Sequence, residues 1–260
     1  MAGFFYPGAR DSLLREVDDY LKAVGDPVEA KMVVLPHAGY IYSGPTAGKT
    51  AAMVNVPKRV ILLGPKHRRM GARAAVSSSD EWNFPFGNVP VDRELANLIV
   101  DHTDLELDDL AHREEHSLEV QVPFLWRRNP DLVLTPVALG IHNLDELKAV
   151  GEGIARAISK LDEPVLIAAS TDMSHQIPID QAKQMDHMAI DKILALNPTG
   201  LYDTVFANNI SMCGVIPTTA ALFAANACGA CRAKLVKYTT SADATGDTSS
   251  VVGYAGIIVE

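Results

Sequence analysis

The sequence predicts an α/β fold, a three-layer domain in which helices flank a mostly parallel sheet. Three observations carry this expectation. Short runs such as Met32–Leu35, Val60–Leu63 and Val165–Ala169 are apolar at consecutive positions, the mark of strands buried on both faces. Amphipathic stretches of helical length lie between them. The alternation runs along all 260 residues without a fixed-period repeat or a low-complexity segment, so the chain is read as a single domain spanning 1–260.

Each element has a local reason. After Pro7 and Gly8, a helix is expected from about Asp11 to Val24, with Leu13, Leu14, Val17 and Leu21 on one face. Strand Met32–Leu35 runs into a loop bearing His37, and Gly44 and Pro45 open a helix to about Val54, since an early proline lacks only a donor the helix does not use. Strand Val60–Leu63 delivers His67, and Ala72–Val76 is a further strand. Asp92 caps a helix reaching Val100, and one helix covers roughly Ser117–Arg128 before strand Leu132–Val137. Asn143, with Glu146 three residues on, makes a capping-box-like start to a helix ending near Lys160. Strand Val165–Ala169 is followed by helices over Pro178–Leu196, Leu201–Asn208 and Pro217–Ala227, and then by strands Lys234–Thr240 and Val251–Val259.

Composition narrows the function. With 48% hydrophobic residues, 21% charged residues, a formal charge of −9 and a pI near 5.3, direct nucleic-acid binding is not expected. Lys66, His67, Arg68 and Arg69 form the only tight basic run, too short for a nucleic-acid patch but able to steer an anionic ligand. Three unevenly spaced cysteines do not form a disulfide framework and point to a reducing compartment. The N-terminus has neither the basic stretch nor the apolar core of a signal peptide, and no apolar run approaches the ~18 residues that cross a bilayer. The expectation is a cytoplasmic protein without membrane contact.

The groups capable of chemistry lie after strands or in turns. His37 and His67 both follow the C-terminal ends of expected parallel strands, the edge at which open α/β sheets bind ligands. A lone histidine there is more often a capping residue, but two in equivalent positions point to a shared centre. Pro36 restricts Leu35 to extended geometry and Gly39 permits a tight turn, so the loop is built to direct the His37 ring. Asp172 and His175, three positions apart on an expected helical turn, would share a face. They are read either as a carboxylate and imidazole acting together or, with Ser170, as a helix cap. His112, Arg113, Glu114 and Glu115 form a charge-dense approach to His116 and Glu119, read as a site wall or a solvated helix start. Cys213 lies in a polar turn that opens a helix, where the helix N-terminus favours the thiolate for ligation or attack. Cys228 and Cys231 form a CxxC pair without two further ligands nearby, so no structural zinc is read there, and His102, His142 and His187 are read as surface or capping residues.

Together these motifs resemble the Memo family, protein B of the AmmeMemoRadiSam systems, which is related to class III extradiol dioxygenases. The residues that carry the resemblance are Phe4–Pro7, the stretch PHAGYIYSG from Pro36, Gly64–His67, the stretch EHSLEVQVP from Glu115, Ser170–His175 and Met212–Gly214. They follow the family's order over nearly the whole chain. The resemblance implies an extradiol-dioxygenase-like sheet flanked by helices and a metal held by His37, His67 and Cys213. It places Asp172 and His175 as catalytic groups beside that metal. Phe5, Tyr40, Tyr42, His116 and Glu119 would line or support a substrate cavity.

The dioxygenases hold ferrous iron with two histidines and a carboxylate, whereas here the third position is a thiol. A softer ligand widens the preference from iron to copper, with zinc also accommodated, so ring cleavage does not follow. The reading is metal-dependent redox or oxygen chemistry on a small or modified substrate, with His175 as acid or base. Two alternatives are a metal-free hydrolase or transferase with Cys213 as nucleophile, and a module that binds a peptide or a partner's modified residue. The family's system name implies a radical-SAM protein and an AMMECR-type protein as partners.

Overall fold

Strands built of consecutive apolar residues leave neither face for water, and here they stack side by side at the centre of one sheet. The computed structural model describes residues 1–22 and 25–260. Its elements up to the middle of the chain are α1 (Arg10–Tyr20), β1 (Met32–Leu35), α2 (Tyr40–Ala52), β2 (Arg59–Pro65), β3 (Ala74–Val76), β4 (Glu81–Phe84), β5 (Gly87–Pro90), α3 (Arg93–His102), β6 (Glu106–Leu107), α4 (His116–Glu119) and α5 (Val122–Arg128). There follow β7 (Val133–Leu139), α6 (Leu144–Ile158), β8 (Val165–Ser170), β9 (His175–Ile177), α7 (Ile179–Leu194), α8 (Pro198–Ala207), α9 (Val215–Ala227), β10 (Ala233–Thr240), α10 (Ala242–Thr245) and β11 (Val251–Val259).

The nine-stranded sheet has the order β10-β11-β1-β8-β2-β7-β3-β6, with β9 added to β11. Its centre, β1-β8-β2-β7, is parallel, and antiparallel pairings of β11 with β1 and of β3 with β7 flank it. The register sets Leu35 beside Ser170 and Leu63 beside Ala169, which brings the loops bearing His37, His67 and Asp172 to one edge of the sheet. Side chains alternate between the layers as the strand period requires. Val34, Ile61, Leu63, Val137 and Ile167 meet α3, α6, α7, α8 and α9, whereas Val33, Leu35, Val60, Leu62 and Leu134 meet α1, α2 and α5. The architecture is therefore three-layered α/β with a mostly parallel sheet, as the sequence predicts.

Both predicted caps form: Asp92 accepts the Leu95 N–H at 3.1 Å and Asn143 accepts the Glu146 N–H at 3.0 Å. Other expectations need correction. Helix α2 begins at Tyr40 rather than at Gly44, because the Phe5 carbonyl takes the Tyr40 N–H at 2.8 Å and anchors the first turn from outside; Pro45 then lies within the helix. The helix expected over Ser117–Arg128 is two, α4 and α5, since Pro123 has no N–H with which to continue the ladder. The turn expected to be helical after Ser170 is irregular, and His175 begins strand β9. There the backbone is claimed by β11, with Met173 N–H donating to Gly253 at 2.8 Å and Gly253 N–H to Ser174 at 2.9 Å. The β4–β5 hairpin was not foreseen; its turn relies on Gly87 at φ +133°, a conformation that glycine tolerates. The predicted extension of the first helix to Val24 reaches residues outside those described. Among the described residues no helix is long and apolar enough to cross a membrane.

Candidate metal centre

Three imidazoles converge at the sheet edge. His37 follows β1, His67 follows β2 and His116 opens α4, and one ring nitrogen from each lies within 4.8 Å of the others. The rings of His67 and His116 are stacked at 4.8 Å, and His37 stands edge-on to both, at 5.5 Å and 5.3 Å. Phe5 stacks on the other side of His116 at 4.4 Å. Helix α4 comes close enough for this because β2 carries Gly64: a Cβ there would sit 2.6 Å from the Leu118 side chain.

The hydrogen bonds behind the rings settle their tautomers. Ser170 Oγ has one proton, which it donates to the Ser117 carbonyl at 2.6 Å, and it accepts from Gln121 Nε2 at 2.8 Å. Its 2.8 Å contact with His37 Nδ1 must therefore be donated by the ring, leaving His37 Nε2 as a bare lone pair. His67 obeys the same logic. Its Nδ1 lies 2.8 Å from Glu115 Oε1, and Glu115 Oε2 accepts the His67 backbone N–H at 2.6 Å. Hydrogen bonds from His67 and Ser117 and the nearby imidazole overcome burial and hold Glu115 at about 2, so it is an acceptor and His67 Nδ1 the donor.

Electrostatics favour neutral rings. Burial, followed by repulsion from His67, pushes His37 down to about 3, and burial with repulsion from His37 pushes His116 down to about 4. Both are thus unprotonated near neutral pH, as metal ligation requires.

Three more predicted site residues, Cys213, Asp172 and His175, lie beside this cluster. Cys213 precedes α9, with Sγ 3.3 Å from His37 Nε2 and accepting the Asp172 N–H at 3.3 Å. The expected thiolate does not arise from the helix N-terminus: burial, then the charge of Asp172, raises the thiol well above its ordinary value. A cation at the centre is what would reverse this. Asp172, 4% exposed, accepts the His37 N–H at 2.8 Å, and its other oxygen is 3.9 Å from His37 Nε2. It braces the His37 loop and caps no helix. Burial raises its carboxyl above the usual range. His175 donates Nδ1–H to the Ser211 carbonyl at 2.9 Å, which leaves its Nε2 free.

Glu119 accepts from the Tyr6 hydroxyl at 2.5 Å. The two tyrosines of α2 have opposite fates. Tyr40, expected on a cavity wall, is instead 1% exposed in the core beneath, its hydroxyl donated to the Val120 carbonyl at 2.8 Å, while Tyr42 is 39% exposed at the surface. Glu115, read from sequence only as part of a site wall or a solvated helix start, takes its grip on His67 from how α4 docks, and Tyr254 of β11 was not foreseen. Tyr254 is 2% exposed, its phenol raised by burial and then by Asp172.

These residues fit a metal ion. Neutral imidazoles with Nδ1 anchored to a hydroxyl and a carboxylate are the arrangement that orients histidine ligands, and a thiol and a carboxylate stand within reach. A cavity of about 770 Å³ beside α3, β6 and α6 lies elsewhere and is lined by none of these histidines.

Comparison with known proteins decides the kinship. The sequence model of the Memo-like protein family matches residues 1–258. The chain belongs to the Memo-like family. A MEMO1 family protein of Methanococcoides burtonii is 40% identical over 262 residues, covering 100% of this chain and 98% of the relative. One from Methanopyrus kandleri is 38% identical over 273 residues, covering 99% and 96%, and one from Aquifex aeolicus is 37% identical over 262 residues, covering 99% and 97%. Among solved structures, an uncharacterized protein of Escherichia coli K12 shares the fold, with a TM-score of 0.57 at 12% identity over 88% of this chain and 100% of that one.

Proposed function

We propose that this Memo-like protein is a metal-dependent redox protein carrying iron or copper between His37, His67 and a third donor, and acting on a small or modified substrate. The observation that carries this reading is the pair of anchored tautomers: Ser170 and Glu115 fix Nδ1–H of His37 and His67, so each ring offers an Nε2 lone pair. Family resemblance nominates Cys213 as the third donor, and proximity nominates His116. When bound, iron or copper supplies electron transfer and Lewis acidity, whereas zinc would suit the donors without redox chemistry. The protein's own groups then divide the work. Asp172 holds the His37 loop, His175 Nε2 is placed to take or give a proton, and Phe5 shields one face of His116 from water. A site that depends on a free thiol suits a reducing, cytoplasmic setting. The radical-SAM and AMMECR-type partners belong to the same proposal, and co-purification tests them.

Metal analysis of protein purified without oxygen tests the centre. Stoichiometric iron or copper that is lost in His37→Ala and His67→Ala supports it, and unaltered metal content in both variants sinks it. Comparing Cys213→Ser with His116→Phe identifies the third donor.

A second reading, a peptide-binding module, is favoured by exposed Phe4 (92%), Ile41 (66%) and Tyr42 (39%). It predicts peptide binding that persists after chelation.

A further inference from the structure

The charged approach to α4 is only partly absorbed by the histidine cluster. Glu115 turns inward to His67, whereas His112 and Arg113 line a separate cavity of about 380 Å³ together with Trp82 and Leu110. Glu115 and Glu119 also line it, so the cavity backs directly onto the candidate metal centre. Its volume falls in the range of small-ligand sites, roughly 300–1,000 Å³. The loop is strained where the two roles part: Glu114, between Arg113 and Glu115, adopts φ +62°, a left-handed conformation that is uncommon outside glycine and often found at functional sites.

Its polar groups are unevenly committed. Asp109 is taken up by hydrogen bonds from Ser77, Ser78 and Ser79, Glu115 by His67 and Ser117, and Glu119 by Tyr6. Arg113, by contrast, is exposed and makes no ion pair among the described residues. His112 is only 9% exposed, with both ring nitrogens fully buried and the Ala75 backbone beside the ring. Neither nitrogen is reachable from the cavity, so the ring gives the cavity shape rather than a hydrogen bond. Burial pushes the ring down to about 4, so near neutrality it adds no charge to the cavity wall. Trp82 lies edge-on to His112 at 5.8 Å, and its indole N–H is donated to Ser77 Oγ at 3.3 Å, which leaves the ring surface as what it offers a ligand.

We propose that this cavity binds a planar aromatic ring carrying an acidic group, with the ring against Trp82 and the acid on Arg113. It deepens the redox reading by naming a substrate class, and it rests on that reading only for the link through Glu115 to His67. Binding itself needs no metal.

The test is calorimetric titration of the metal-free full chain with 4-hydroxybenzoate, with 4-hydroxybenzamide as the neutral control. Fluorescence of the Trp126→Phe variant, in which Trp82 is the sole indole, gives a second readout. Saturable binding at a single site is expected, weakened about tenfold or more by loss of the ligand's charge or by Arg113→Gln. Absence of saturable binding, or equal affinity for the benzamide or in Arg113→Gln, overturns the proposal. Because the chain is metal-free, such a failure stands apart from the metal analysis of His37→Ala, which alone decides the redox centre.

Discussion

Glu115 holds His67 at two points, accepting the backbone N–H on Oε2 at 2.6 Å and the ring Nδ1–H on Oε1 at 2.8 Å, with the Ser117 N–H adding a third bond at 3.0 Å. The carboxylate is 1% exposed and the imidazole 33%, so the buried partner dictates where the more open one points. Glu115→Gln keeps the volume but replaces one accepting oxygen with a donor. It is expected to lower metal affinity by about 10–100-fold, measured by chelator competition. Unchanged affinity would mean that His67 orients itself without this grip.

Ser170 plays the corresponding part for His37 and serves Gln121 as well. Ser170→Ala leaves His37 Nδ1–H and Gln121 Nε2 without this buried acceptor, although Gln121 keeps its bond to the Pro36 carbonyl at 2.9 Å. The expected cost is about 1–3 kcal/mol in urea unfolding, together with weaker metal binding. If both measurements match the parent protein, the tautomer argument for His37 fails.

Gly214 separates Cys213 from α9 and lies hard against the loop after β8. A Cβ at this position would sit 2.3 Å from Thr171 Cβ and 2.4 Å from the Ser170 carbonyl oxygen. Gly214→Ala therefore forces the backbone apart, at a cost of about 1–3 kcal/mol in thermal unfolding, and moves Cys213 away from His37. Faster alkylation of Cys213 in the variant would report that movement; an unshifted melting temperature would contradict it.

Acid should destabilise the fold well above the range of ordinary carboxylates. His37 is pushed down to about 3, and His112 and His116 to about 4, in each case chiefly by burial, whereas an unfolded imidazole titrates near 6.5. Between these values the unfolded chain takes up protons that the folded chain refuses, so stability falls as pH falls through that window. Asp172 and Asp186, raised by burial, act in the opposite sense, retaining protons in the folded state. His112→Phe isolates the histidine contribution: the drop in urea midpoint from about pH 7 to about pH 5 should shrink relative to the parent. An identical drop would remove His112 from the account.

What could be read from the sequence follows physical range. The apolar runs at Met32, Val60 and Val165 give the central strands because burial on both faces leaves no other pattern, and Asp92 and Asn143 cap their helices through bonds only three residues long. The pairing of His37 with His67 is equally visible, since each needs only its own strand to carry it to the edge. His116 enters the cluster only once α4 has settled over Gly64, an approach set by packing between distant segments. Tyr40 and Tyr42 look alike in sequence, and only the early start of α2, fixed by the Phe5 carbonyl, turns one inward and the other out. The β4–β5 hairpin escaped notice because its strands are short and partly exposed, with little hydrophobic pattern to betray them.

The position of β1 between β8 and β11 has a kinetic consequence. His37 emerges early during synthesis, yet the strand behind it finds its neighbours only at Ile167–Ser170 and Ile257–Val259. Pairings so remote along the chain fold slowly, because a long loop must close before either contact forms. On the ribosome the first histidine of the centre therefore waits, its apolar strand without both neighbours, until the chain has been made through Val259.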